Sequence, residues 1–144
     1  MNINESIRDW IFSHYESQTS LAVIDLVTMG ETSDLAPPFL GIYETGSNPY
    51  IQGEVVMYGV TNYDINCELH TVPVEEDQDG TDVDTEREYR RDLYDILGDR
   101  AMIDWINNRN GWLVFDIRIA APTTEASEGR RITRWSLSII AAPN

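Results

Sequence analysis

Apolar residues recur at helical spacing in "INESIRDWIFSHY", where Ile3, Ile7, Trp10 and Ile11 fall on one face. With Asn2 or Asn4 as N-cap, the pattern predicts an amphipathic helix of about three turns. "SLAVIDLVTM" is rich in β-branched residues, but its periodicity does not choose between strand and helix. Pro37, Pro38, Gly46, Pro49 and Gly53 punctuate the next stretch, so "FLGIYE" reads as a short strand followed by a turn-rich loop. In "YDINCELHTV" the period becomes two. Tyr63, Ile65, Cys67, Leu69 and Thr71 face one way, and Asp64, Asn66, Glu68 and His70 the other, as on a half-buried antiparallel strand. The same parity runs back through Val55 and Met57, as one long strand or two joined by a bend at Gly59.

The helical period returns at Tyr89, Leu93, Ile96 and Leu97, with Thr85 and Glu88 as a capping box and Gly98 as the stop. Asp99 is placed to cap a second short helix carrying Met102, Ile103, Trp105 and Ile106. "WLVFDIRI" then alternates Leu113, Phe115, Ile117 and Ile119, and "ITRWSLSII" alternates Trp135, Leu137 and Ile139, with "AAPTTEASEGR" between them as a long polar hairpin loop. The order predicts one α+β domain over residues 1–144, an antiparallel sheet of about four to five strands with helices packed on one face.

Composition narrows the function. Twenty-five acids against ten bases give a formal charge of −15, a field that repels phosphates and anionic membranes. All ten bases are arginines, nine of them after residue 86. The single cysteine, Cys67, has no internal disulfide partner, and the first residues lack the basic and apolar regions of a signal peptide. The expectation is a soluble intracellular domain.

The densest chemistry is "EEDQDGTDVDTE", seven carboxylates in twelve residues. Placing Gly80 sixth puts Glu75, Asp77, Asp79 and Glu86 at the first, third, fifth and twelfth positions of a calcium loop. Against that reading, the preceding segment is a strand ended by Pro73, and the eighth position is Asp82. Asp77, Asp79 and Glu86 are the metal candidates, for loose divalent-cation binding; no other cofactor is expected. The favoured reading is a solvated loop held open by its own charge, with Glu75, Glu76, Asp77, Asp79, Asp82 and Asp84 exposed.

Neither histidine has a partner that makes a catalytic set, and there is no G-x-S-x-G elbow and no phosphate-cradling glycine loop. His70 reads as a surface residue and Cys67 as a packed thiol. Asp64, Glu68 and His70 share a strand face on which a magnesium ion would fit, but the acidic field opposes a phosphodiester substrate. The four tryptophans read as packing. No enzymatic activity is expected. Arg130, Arg131 and Arg134 form a basic strip that pairs either with carboxylates of the same chain or with those of a neighbouring copy.

The succession of "LAPPFLGIYETGS", "GVTNYDINCELHTVPV", "TEREYRRDLYDILGD", "RAMIDWINNRNGW" and the closing "WLVFDIRI"…"ITRWSLSII" hairpin resembles that of the tail terminator (tail completion) proteins of long-tailed bacteriophages. The resemblance implies a ring, a hexamer in that family, that caps the tail tube, meets head-completion or connector proteins and lets DNA pass through its centre without specific binding. It implies assembly in the host cytoplasm and a final place in the virion neck or tail. Arg130, Arg131, Arg134 and Tyr50, the last within "ETGSNPYIQGE", become candidates for subunit interfaces or docking, and the acidic loop a candidate lumen or docking element. The alternatives are another neck ring component, such as a head-closure protein, and, from a different class, an acidic DNA mimic.

Overall fold

A computed structural model describes residues 3–14, 22–25, 38–71, 83–108, 111–127 and 129–143. Helix α1 (Ile3–His14) is followed by strands β1 (Ala22–Asp25), β2 (Phe39–Gln52) and β3 (Val55–Thr71). Helices α2 (Val83–Leu97) and α3 (Ala101–Asn107) precede β4 (Trp112–Ile119), β5 (Thr123–Ser127) and β6 (Arg130–Pro143). The strands form one six-stranded sheet in the order β1-β2-β3-β6-β4, with β5 also paired to β6. β1 runs parallel to β2; the other pairs are antiparallel.

The α+β arrangement expected from the sequence is the one observed. All three helices contribute to a single apolar core against one sheet face. Ile7, Trp10 and Ile11 of α1, Leu93 and Leu97 of α2, and Met102 and Ile106 of α3 meet Ile42, Ile65, Cys67, Trp135, Leu137 and Ile139 of the strands. Each such aliphatic side chain contributes about 1.5–3 kcal/mol by leaving water. Trp10 donates its indole N–H to the Ile96 carbonyl at 3.0 Å and meets Trp105 edge-on at 5.6 Å, tying α1 to both later helices. Asp99 accepts from the Ala101 amide at 2.9 Å just ahead of α3, but the N-cap position is taken by Arg100 and not, as the sequence suggested, by Asp99.

Four other local expectations change. Asn4 lies inside the first turn of α1, and Asn2 is outside the described residues. α2 already runs at Val83, so Thr85 sits within the helix rather than ahead of it. β2 does not stop at "FLGIYE" but continues for 14 residues, because the breakers are absorbed at register shifts between Glu44 and Gly46 and between Pro49 and Ile51. The polar stretch after β4 is no plain loop: Thr123–Ser127 folds back as β5 on β6.

β3 is one 17-residue strand whose core parity holds at Ile65, Cys67 and Leu69. Its early part outruns the sheet. The last pairing of β3 with β6 is Thr61 with Ala141, so the backward extension leaves Val55 and Met57 exposed instead of buried. In β4 a bulge between Val114 and Asp116 switches parity. Trp112 and Val114 face the core, then Ile117 does, while Leu113 and Phe115 are exposed, contrary to the simple alternation.

Candidate functional site

The sheet face opposite the helices carries the even positions of β3. Cross-strand register sets Glu68 opposite Arg134, Asn66 opposite Ser136 and Asp64 opposite Ser138, with Tyr43 opposite Asn66. Partners in such a pair share a face. At one end of this face the polar groups close on themselves. Tyr43 donates its hydroxyl to Glu68 Oε2, Arg134 donates Nε–H to the same oxygen at 3.0 Å, and His70 donates from Nε2 to Oε1 at 2.9 Å. Asn66 donates to the Tyr43 oxygen at 3.1 Å, and Arg134 reaches Glu125 of β5 with its other arm.

Glu68 and His70 are both fully buried, so the reading of His70 as a surface residue is corrected. Phe39 stacks on the imidazole at 4.5 Å with only 11° between the planes. A histidine flanked by an aromatic plane and a carboxylate is covered even on the nominally polar face.

The electrostatics follow from this wiring. Burial alone would raise the Glu68 carboxyl, but hydrogen bonds from His70, Tyr43 and Arg134 outweigh it and hold the group below the usual glutamate value. Burial first, and then the hydrogen bond to the Glu68 carboxylate, push the Tyr43 phenol up. Arg134 loses solvation but is held charged more firmly than a free arginine by Glu68 and Glu125. Both Glu68 oxygens are occupied by protein donors, whereas the buried His70 Nδ1 has no hydrogen-bond partner among the described residues. The chemistry of the cluster is that of a structural clasp rather than of a general acid or base.

Asp64, Glu68 and His70 therefore do not come together as a magnesium site. Glu68 and His70 bond each other, whereas Asp64 lines a shallow groove of about 460 Å³ with Thr45, Asn66, Arg118, Ser136 and Ser138. Among the described residues no group of three or more His, Cys, Asp or Glu side chains could hold a metal ion. Of the acidic run, Glu75, Glu76, Asp77, Asp79 and Asp82 lie outside the described residues, and Asp84 and Glu86 enter only through the backbone of α2. His14 is bound locally, Nδ1 to the Trp10 carbonyl at 2.8 Å.

Cys67 is buried as expected, and burial pushes its thiol up to about 12. The native protein is expected to show no thiol reactive toward an aromatic disulfide reagent at pH 8, and one equivalent after denaturation in urea. Rapid labelling of the folded protein would contradict the burial.

The other conspicuous feature is at the far end of β2 and β3. From Thr45 to Tyr63 the chain contains a single charge, Glu54. Beyond Thr61 the two strands continue as a hairpin arm, by about 10 Å at the usual strand rise. Gly53, with φ of 65°, opens the two-residue turn between Gln52 and Val55, a position that favours glycine. One residue of β2, Tyr50, faces four of β3, Met57 to Val60, where Gly59 has φ of 80°. The irregularity throws side chains outward: Ile51, Val55, Val56 and Met57 are exposed, and Tyr58 fully so.

Exposed apolar side chains in such a cluster mark interaction surfaces. The sequence singled out Tyr50 and its stretch but read it as a flexible loop. The signal for the arm was the coincidence of β-branched residues with nearly absent charge. Arg134 is committed inward to Glu68, in line with the intramolecular alternative for the arginine strip, while Arg130 and Arg131 begin β6, half-buried. No helix of the described residues is long and apolar enough to cross a membrane. The chain matches no protein-family model and no curated protein.

Proposed function

We propose that the chain is a structural subunit that works by joining copies of itself into a closed ring, capping a bacteriophage tail tube and linking it to head-completion proteins. The observation that carries this reading is the β2–β3 arm, which holds Ile51, Val55, Val56, Met57 and Tyr58 in water on a chain of net charge −15. A monomer gains nothing from such a display; a subunit gains about 25 cal/mol for each Å² of apolar surface that a neighbour covers.

The most prominent polar cluster adds support from the other side. His70 and Arg134 both donate to Glu68 and so are spent on holding the sheet together. The acidic surplus suits a central channel, because carboxylates repel the phosphate backbone and let DNA slide. The resemblance of the element order to tail terminators supplies the finer reading of ring, tube cap and neck location.

Carboxylates gathered around a ring repel one another, so assembly is expected to strengthen with added salt or magnesium and to weaken at low ionic strength. Negative-stain electron microscopy of the purified protein tests the reading. A terminator gives single rings in salt and seats on the ends of purified tail tubes. Continuous tubes formed by the protein alone would indicate a tube component, and particles without rings under every condition would contradict the proposal.

A further inference from the structure

The geometry points to the place where the arm docks: the apolar strip of Leu113 and Phe115 on β4 of a second copy of the chain. This rests on the reading as a self-assembling subunit and adds which surfaces meet. Leu113 and Phe115 are 42% and 53% exposed, the largest apolar display among the described strand residues outside the arm. At this end of the sheet the arm and the strip lie on either side of β6, with Thr61 at the root of the arm and Val114 both paired to Ala141. The arm grows from β2 and β3, toward one edge, and β4 forms the other. Subunits set side by side in one orientation bring the arm of each to β4 of the next.

Charge favours the same pairing. Asp116 of β4 is flanked by two guanidiniums, Arg100 at 3.0 Å and Arg118 at 3.1 Å, which places two arginines near the strip on an otherwise acidic molecule. Both arginines are well exposed on their outer sides, and the arm brings one charge, Glu54. An arm-to-arm contact would set two Glu54 carboxylates together and would stop at a dimer. An arm-to-strip contact joins unlike surfaces, the head-to-tail kind that closes rings.

The contact is to the strip's side chains and not an added strand. Asn107 of α3 accepts from the Val114 amide and donates to its carbonyl at 3.2 Å, and Arg100 donates to the Ile117 carbonyl at 3.0 Å. These side chains already satisfy backbone groups of β4, which protects it from strand-to-strand pairing.

Cysteine cross-linking with a short bis-maleimide tests the assignment, because the native Cys67 is buried and does not compete. Tyr58→Cys and Phe115→Cys proteins are made singly, mixed, and combined in one chain, with a second pair, Gln52→Cys and Leu113→Cys, in case Tyr58 itself is needed for the contact. All four positions are exposed, and circular dichroism checks the fold. For at least one pair, about half of the subunits in an equal mixture, the share that random neighbours in a head-to-tail ring allow, are expected to link as heterodimers, the double variant to give a covalent ladder, and the arm variant alone to stay unlinked. Sedimentation is run in parallel. If oligomers form but the arm variant links to itself, links only to added tail tubes, or neither pair links, the assignment fails while the assembly reading stands. If every protein sediments as a single subunit at all salt concentrations, both fail.

Discussion

Arg134→Met is expected to lower the unfolding free energy by about 3–5 kcal/mol, the range for removing one partner of a buried ion pair. The lower end is favoured because the Arg134 side chain is 21% exposed, and water can partly replace it. The loss comes less from the missing guanidinium than from what remains. Glu68 is fully buried and, among the described residues, would keep the Tyr43 hydroxyl and the His70 N–H as its side-chain donors. Adding Glu68→Gln to the same chain removes the stranded charge and is expected to restore much of the stability. Urea denaturation of the single and double variants measures both.

The same pair predicts a pH dependence with a definite sign. The Glu68 carboxyl titrates lower in the folded chain than in the unfolded one, so its stabilisation is complete above the unfolded value, about 4.3. It is lost as pH falls from there through the depressed folded value. In Arg134→Met the folded value rises toward the unfolded one, so the window in which acid removes stability narrows and the variant is expected to lose less stability on acidification than the wild type. Urea midpoints measured from pH 7 down to pH 3 give the two slopes, and parallel curves would contradict the wiring.

How far the sequence discloses this molecule depends on the range of the interactions. The stripes of α1 and α2 were legible because Ile7, Trp10, Leu93 and Leu97 repeat at 3.6, a purely local signal. Ile65, Cys67 and Leu69 were legible for the same reason at period two. The length of β2 was not, because Gly46 and Pro49 break a strand by their own preferences, and only pairing with β3 shows that bulges accommodate them. The bulge at Phe115 likewise depends on β6 as partner. Glu68 and His70 looked like a solvated face because alternation tells which side a residue faces but not what covers that side. Phe39, Tyr43 and Arg134 cover it, and Arg134 lies 66 residues away from Glu68 in the chain. The arm fell between the two cases: its residues were singled out as a docking candidate, while its exposed strand form required the end of the β3–β6 ladder to be located.

Placing a carboxylate on the arm is expected to have the largest effect of all on the assembled state. Val56 and Met57 are exposed in the isolated subunit, so Val56→Glu with Met57→Glu leaves the core untouched and the fold at nearly full stability. In an assembly each of these side chains would contribute about 1.5–3 kcal/mol on burial. Removing both forfeits about 3 kcal/mol or more per contact, about 100-fold or more in dissociation constant, before any repulsion from the added charges. Because every subunit of a ring loses the same contact, the loss multiplies around it, and the assembled species is expected to disappear.

Sedimentation velocity of the wild type and the Val56→Glu, Met57→Glu variant, at low salt, at physiological salt, and with magnesium or chelator, reads this directly. The wild type is expected as one discrete closed oligomer in salt or magnesium that loosens at low ionic strength, and the variant as a folded single subunit throughout. A wild type that sediments as a 16.4 kDa monomer under every condition, or a variant that assembles as the wild type does, would contradict the account.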